Sequence, residues 1–375
     1  MKIEVLKEEL MDVLEAVGTT VAQKSTLPVL QAVLLEAEDG KLTIYGIDGT
    51  ASARGTVYVE QEKAGVTCIN YVLFKDVVKS LPNNNITIET DEHSCKFSCN
   101  NATFELVTYN PQDFPKPFGQ TTQTSLQVNQ QEFKATVSKV LPFVAPVEGT
   151  MPALTGVNFE IEDGRMTLVG CDGYRIAVTT IKGICEDEIK TSFVLPAKYV
   201  KEIARLCSAD EDELQICIPS SGNTVSFELP NVVINIQRIA GNYPNWKKII
   251  PAEFGATVRV NKDDLYGALE RASLVFDDAR ERKTVLNIKN NQILITAQSD
   301  TSKVEESISA KADAEFRVGF NTRYLIDVLK QIESENIALK FVKADPISPV
   351  YVKDDNFAAF VLPIKLKEEQ KTTAA

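Results

Sequence analysis

Few side chains in this sequence have the types and spacing that chemistry requires. His93 is the single histidine, and Cys95 and Cys99 beside it make the only grouping with a metal-binding flavour. Strand alternation explains EHSCKFSCN more simply, because it sets Cys95, Phe97 and Cys99 on one face with polar residues between them. A Ser-His-Asp or Cys-His mechanism could run only through His93, and no GxSxG elbow supplies a nucleophile. No GxxxxGK[ST] or GxGxxG sequence is present, so the common phosphate-cradling loops are absent.

Asp-Gly pairs at 39–40, 48–49, 163–164 and 172–173 offer carboxylates that could serve acid–base work. Between alternating apolar segments, Asp-Gly is first a hairpin turn. A metal-dependent hydrolase would need Asp48, Asp172 and Asp300 to converge, yet repeats in series place equivalent positions far apart. An active site is one asymmetric cluster of perturbed groups. Here the notable polar residues recur with the fold, which points to a non-catalytic protein without cofactor or metal.

The elements that position these residues come in threes. EDGKLTIYGIDGT at 38–50, EDGRMTLVGCDGY at 162–174 and KNNQILITAQSDT at 289–301 share a turn, an alternating strand and a closing Asp. INYVLFKDVVKSL from Ile69, LPAKYVKEIARLC from Leu195 and GFNTRYLIDVLKQI from Gly319 each read as a short amphipathic helix. Segments from Asn85, Glu213 and Asn336 follow in the same order, each breaking into strands. A first helix recurs as well. It carries Leu6, Leu10, Val13, Leu14 and Val17 in one copy, Phe133, Val137, Val140 and Leu141 in the next, and Leu265, Leu269 and Ala272 in the third. Each repeat then holds two helices and roughly eight short strands, an α+β architecture with helices on one side of antiparallel sheets.

With 375 residues and 44% apolar content, each repeat can bury a core of its own. Domains are expected at 1–120, 121–250 and 251–366, joined by the stretch GQTTQTSLQVNQ and by the segment after NYPNW, with a polar, disordered tail at 367–375. Met1 leads into strand-like KIEVLKEEL with no leader pattern, and no apolar run approaches a membrane span. Cys68, Cys95, Cys99, Cys171, Cys185, Cys207 and Cys217 form no framework and read as free thiols of a reducing cytoplasm.

The second helices are basic in a chain of net charge −12. Lys75, Lys79, Lys198, Lys201, Arg205, Arg323 and Lys330 face Asp76, Glu202 and Asp327. One basic face on an acidic body would confine nucleic acid to that face, although ordinary solvated helix faces explain the charges equally well. The first helix of the first repeat, with Glu8, Glu9, Asp12 and Glu15, leans the other way. Three such domains in a row also leave unpaired edge strands, which head-to-tail pairing with a second copy would close.

STLPVLQAVLLEAEDGKL near the start, CDGYRIAV at 171–178, FNTRYLIDVL and the ending VLPIKL at 361–366 occur in an order that resembles the bacterial DNA polymerase III beta subunits, the sliding clamps, over residues 1–366. The resemblance implies three tandem repeats of the DNA-clamp fold in each chain and a head-to-tail homodimeric ring around double-stranded DNA, held without sequence readout. It implies as partners the replicative DNA polymerase, the clamp loader, and other polymerases and repair proteins that dock through short linear motifs. A cytoplasmic, nucleoid-associated protein is implied, with no membrane partner. Beside the metal-dependent hydrolase, a monomeric DNA-binding or scaffold protein of the same fold is the second competing reading.

Site residues follow from the resemblance position by position. A peptide pocket would be walled by Leu154, Gly173, Tyr174, Arg175, Ile176, Pro244, Lys248 and Ile249, and opposite them by Ile347, Pro349, Phe360, Val361, Leu362, Pro363, Ile364 and Lys365. DNA would be lined by Lys24, Lys75, Lys79, Lys134, Lys139, Lys198, Lys201, Arg205, Arg280, Arg282, Arg323 and Lys330, through mobile contacts that let a ring slide. Phe104 of one protomer would meet Leu274 and Val275 of the other, with strand 303–309 continuing a sheet, and Lys75 could belong to that joint instead. Two departures from the family pattern stand out: the tail 367–375, which could partly screen the pocket, and the loop 145–156, which lacks the cation relatives often carry.

Overall fold

The computed structural model describes residues 1–117, 123–146, 151–184, 189–208, 212–219, 222–276 and 282–366. Its α-helices among these are α1 (Lys7–Val17), α2 (Tyr71–Ser80), α3 (Gln130–Val140), α4 (Ala197–Leu206), α5 (Lys262–Ser273) and α6 (Thr322–Leu329). One local rule builds most of them. A strand ends in Asn, and the Asn side chain accepts hydrogen bonds from the first free N–H groups of the helix that follows. Asn70 caps α2, Asn129 caps α3, Asn261 caps α5 and Asn321 caps α6.

Helices α1 and α4 begin without a side-chain cap, after Leu6 and Pro196. Leu6 was expected in the buried stripe of α1. It instead ends the preceding strand in an extended conformation and is 50% exposed. Leu141, expected in the stripe of α3, lies past the helix in a 3-10 turn and is half-buried. Pro142 disfavours a helical backbone at the residue before it, which ends α3 at Val140.

The described chain forms two compact units, one built on residues 1–135 and 195–239, the other on 136–183, 191–194 and residues from 240 onward. The first carries a thirteen-stranded sheet and the second a twelve-stranded sheet. Each sheet is continuous from one repeat into the next. Strand Val232–Gln237 of the central repeat pairs antiparallel with Ala51–Tyr58 of the first, and Phe357–Val361 of the last pairs with Arg175–Lys182 of the central one. Buried aromatic pairs sit in each repeat, Phe74 with Phe97, Phe133 with Phe227, and Phe320 with Phe341. Such pairs add about 1 kcal/mol each beyond the area they bury.

The repeated hairpin turns place Asp39-Gly40, Asp163-Gly164 and Asn290-Asn291 at positive φ, the paired left-handed geometry that two-residue hairpins require. The turn nine residues later is held differently. Asp48 Oδ1 accepts the N–H groups of Thr50 and Ala51, and Asp172 Oδ1 those of Tyr174 and Arg175. In the third repeat Ser299 Oγ does this for Thr301 and Ser302. Asp300 is therefore not the counterpart of Asp48 and Asp172, and the closing Asp of the third repeat is a serine. A hydroxyl accepts the same two bonds, so the turn survives the change.

Candidate functional site

The turn at Asp172 is where the second unit gathers polar and apolar groups. Gly173 has φ +89, a conformation that other residues adopt only with strain. The turn throws Tyr174 outward, 62% exposed, and Arg175 inward, 7% exposed. Arg175 then donates to Asp172 Oδ2 at 2.9 Å, to Asp327 Oδ2 at 2.7 Å and to the Pro142 carbonyl at 2.6 Å. Its guanidinium also lies over the rings of Phe143 and Tyr324. A buried charge so thoroughly paired holds the central repeat to the second helix of the last one, and presents little surface to a ligand.

Around this anchor the chain assembles an apolar wall. Ile176 stands opposite Phe360 in the ladder, and Leu362 donates its N–H to the Tyr174 carbonyl at 2.9 Å. Leu154 packs with Ala145, Val169, Cys171 and Ile176, and Tyr243, Trp246 and Ile250 close over that cluster. Gly173, Tyr174, Arg175, Ile176, Phe360, Val361 and Leu362 are thus brought together by strand pairing, with Leu154 behind them. Pro349 precedes Val350, which pairs with Val361. Ile364 donates to the Gly319 carbonyl at 2.8 Å, fixing the end of the described chain. Pro244, Lys248 and Ile249 flank the Trp246 turn.

Burial separates these residues. Leu154, Ile176, Phe360 and Val361 are buried, whereas Tyr174, Ile249, Ile347 and Leu362 are exposed. Pro244, Pro349, Pro363 and Ile364 are half-buried, and Lys248 and Lys365 are exposed. Met151 is a further exposed apolar residue, one turn before Leu154, that sequence reasoning passed over. Its position in the alternation gave no signal, since it enters a 3-10 turn.

The basic residues differ in how free they are. Lys75 pairs with Glu15, Lys139 with Glu333, Lys198 with Asp48 and Arg205 with Glu202. Lys134 donates to the Cys207 carbonyl, and Arg323 is 4.0 Å from Asp327. Lys24, Lys79, Lys201 and Lys330 are exposed, with no carboxylate in ion-pair reach among the described residues. Arg282 is half-buried, and Arg280 lies outside the described residues. Of the expected dimer residues, Phe104 is 40% exposed and Leu274 81%, while Val275 is buried.

Reactive groups are not gathered here. Among the described residues no cluster of three or more His, Cys, Asp or Glu side chains could hold a metal ion. Burial pushes the thiols of Cys68, Cys95 and Cys207 up to about 12, so they stay protonated. Burial, reinforced by Asp48, raises the Tyr199 phenol. Asp48 itself accepts from Tyr199 and Lys198, both on α4, and so ties the first repeat to the central one.

Models of the DNA polymerase III beta subunit match the chain in three pieces, the N-terminal domain over residues 1–117, the central domain over 127–245 and the C-terminal domain over 247–365. The chain belongs to the DNA polymerase III beta subunit family. It is a sliding clamp, a non-catalytic processivity factor of DNA replication built from three DNA-clamp domains, and membership implies DNA, a polymerase and further clamp copies as partners. The beta sliding clamp of Haemophilus influenzae is 26% identical over 372 residues, covering 98% of this chain and 100% of the relative. That of Streptomyces coelicolor is 28% identical over 349 residues, 91% of each chain. The solved Bacillus subtilis sliding clamp superposes with a TM-score of 0.92 at 23% identity, over 98% of this chain and all of that one. A Pseudomonas aeruginosa clamp solved with griselimycin bound gives 0.90 at 23% identity, with the same coverage. No helix among the described residues is long and apolar enough to cross a membrane.

Proposed function

We propose that two copies of this clamp join head to tail into a closed ring that encircles duplex DNA and docks partner peptides at the Tyr174–Leu362 wall. The observation that carries this reading is a pairing rule used twice and left open once. The last strand of one repeat pairs with the strand after the Asp48-type turn of the repeat before it: Ile234 with Ala53, and Ala359 with Ala177. By the hairpin registers, the unmatched counterparts are Phe104 in the first repeat and Val304 in the third. Applying the rule to two copies sets Phe104 opposite Val304 and Glu105 opposite Lys303.

The surroundings favour that pairing. Val72 and Leu73 on α2 occupy the positions that Lys198 and Tyr199 hold on α4, and both are more than half exposed. Together with Phe104 they would face Leu274 of the other copy across the joint, and desolvating these apolar residues would hold the ring shut. Exposed edges of the first and third repeats would vanish together.

Within such a ring the free cations Lys24, Lys79, Lys201 and Lys330 would meet phosphates, and the paired ones would do so by exchanging a carboxylate for a phosphate. Contacts of that kind carry no base information and leave the clamp mobile. The pocket reading is supported by exposed Tyr174, Ile249, Ile347 and Leu362 around a preformed apolar wall, which fits a short segment with Leu or Phe anchors. Micromolar affinity, about 8 kcal/mol, suits a replicative polymerase, a clamp loader and repair proteins that take turns. The reading also places the protein with the nucleoid in the cytoplasm. Titrating an anchor peptide onto the wild type and Leu362→Ala tests the pocket. Roughly tenfold weaker binding with an unchanged dimer is expected, and equal binding would count against it.

A further inference from the structure

Past the peptide wall, the same face of the sheet runs on into a groove that none of the roles above uses. Opposed residues of an antiparallel ladder share a face. Ile176 opposes Phe360, Val178 opposes Ala358, Thr180 opposes Thr167 and Lys182 opposes Arg165. One face therefore grades from apolar, beside Leu362, to cationic. Lys353 opposes Ala358 from the other side, and Trp246 and Ile250 overhang Val178, giving a groove of about 470 Å³.

The charge at its far end is unbalanced. Arg165, Lys182 and Lys353 are exposed and find no carboxylate in ion-pair reach among the described residues. Arg165 and Lys182 sit directly across from each other in the ladder, where like charges are destabilising. Asp355 is the groove's own acid; Glu160 and Glu162 share the face, opposite Thr167 and Arg165 in the ladder, but Glu160 is held by Lys247 and Glu162 by Lys190 and Lys247. In a chain of net charge −12, three unanswered cations around an aromatic floor mark a place for an anion.

We propose that this groove receives an acidic segment of a protein partner, continuous with the peptide docked at the neighbouring wall, so that clients with Asp or Glu near their apolar anchors bind more tightly. This rests on the peptide-docking reading. From Ile176 to Lys182 the strand spans roughly 20 Å, so the acidic residues belong about six extended positions from the anchor.

The test uses the full-length clamp and synthetic peptides: one with Leu and Phe anchors, versions of it extended at either end by a spacer and four glutamates, and the acidic stretch alone. Trp246 is the only tryptophan and reports the groove by its emission. One extension is expected to tighten binding several-fold at low salt, with the gain lost at 0.5 M salt (roughly a threefold shorter screening length than at 0.05 M). The Lys182→Glu, Lys353→Glu double variant should lose the gain too, while binding the unextended peptide as the wild type does. Equal affinity of all anchored peptides overturns the proposal and leaves the pocket standing. If no anchored peptide binds, the pocket reading fails, and the acidic stretch alone decides: a saturable Trp246 change abolished in the double variant supports the groove, and none overturns it. Displacement by a single-stranded oligonucleotide that the acidic peptide cannot match would make the occupant a nucleic acid and would also overturn it.

Discussion

At the scale of single residues, the carboxylates that looked capable of chemistry are committed to structure. Asp48 and Asp172 hold turns and tie adjacent repeats together, and Ser299 takes the equivalent place in the third repeat. Arg175 is the central case. Replacing it by Met leaves half-buried Asp172 without its cation and half-buried Asp327 with only Arg323 at 4.0 Å, so a loss of about 3 kcal/mol is expected, read as a shift of the urea unfolding midpoint; a loss under about 1 kcal/mol would mean the pairs contribute little. Asp354 supplies a pH dependence. Burial pushes its carboxyl up, but Ser334 Oγ and the N–H groups of Ser334 and Glu333 outweigh that and hold it below the usual range. A carboxyl depressed on folding stabilises above its unfolded value of about 3.9, and that contribution fades as pH falls through the lower folded value. The stability gap between wild type and Asp354→Asn should therefore narrow from pH 6 to pH 3, and a gap independent of pH would exclude this origin.

At the scale of elements, much was legible and the failures have physical causes. Alternation, Asp-Gly turns and strand-Asn-helix junctions are local, and local rules show in sequence: the six helices among the described residues lie where their patterns put them, apart from their ends at Leu6 and Leu141, and so do the repeated hairpins. Leu6 was misread because a strand fed straight into a helix, and the two periods overlap at the junction. Asp300 was misread because serine can replace aspartate as a turn acceptor. The burial of Arg175 was illegible, since Asp327 lies 152 residues away in sequence. Within the candidate site, strand pairing could be anticipated from the repeats, whereas Met151, Val72 and Leu73 gave no signal until their exposure was seen. The strand register proposed for the joint is open to a charge swap. Glu105→Lys or Lys303→Glu alone should weaken the dimer several-fold in sedimentation, and the two together should restore it; two additive losses would refute the register. Phe104→Arg should give monomers at micromolar concentration through a buried unpaired charge.

At the scale of the whole molecule, function turns on enclosure. The chain is acidic overall, four of the candidate DNA-lining cations stand free and others are half-neutralised by carboxylates, so direct affinity for DNA should be weak and fall steeply with salt. Retention that survives salt must then come from topology. The most direct measurement loads the clamp onto nicked circular DNA, cuts half of the circles once to make them linear, and follows the protein by gel filtration at 0.15 M salt. Retention on circles for many minutes, with release from the linear DNA as the ring slides off its ends, is the predicted result. Equal release from both forms would contradict a closed ring.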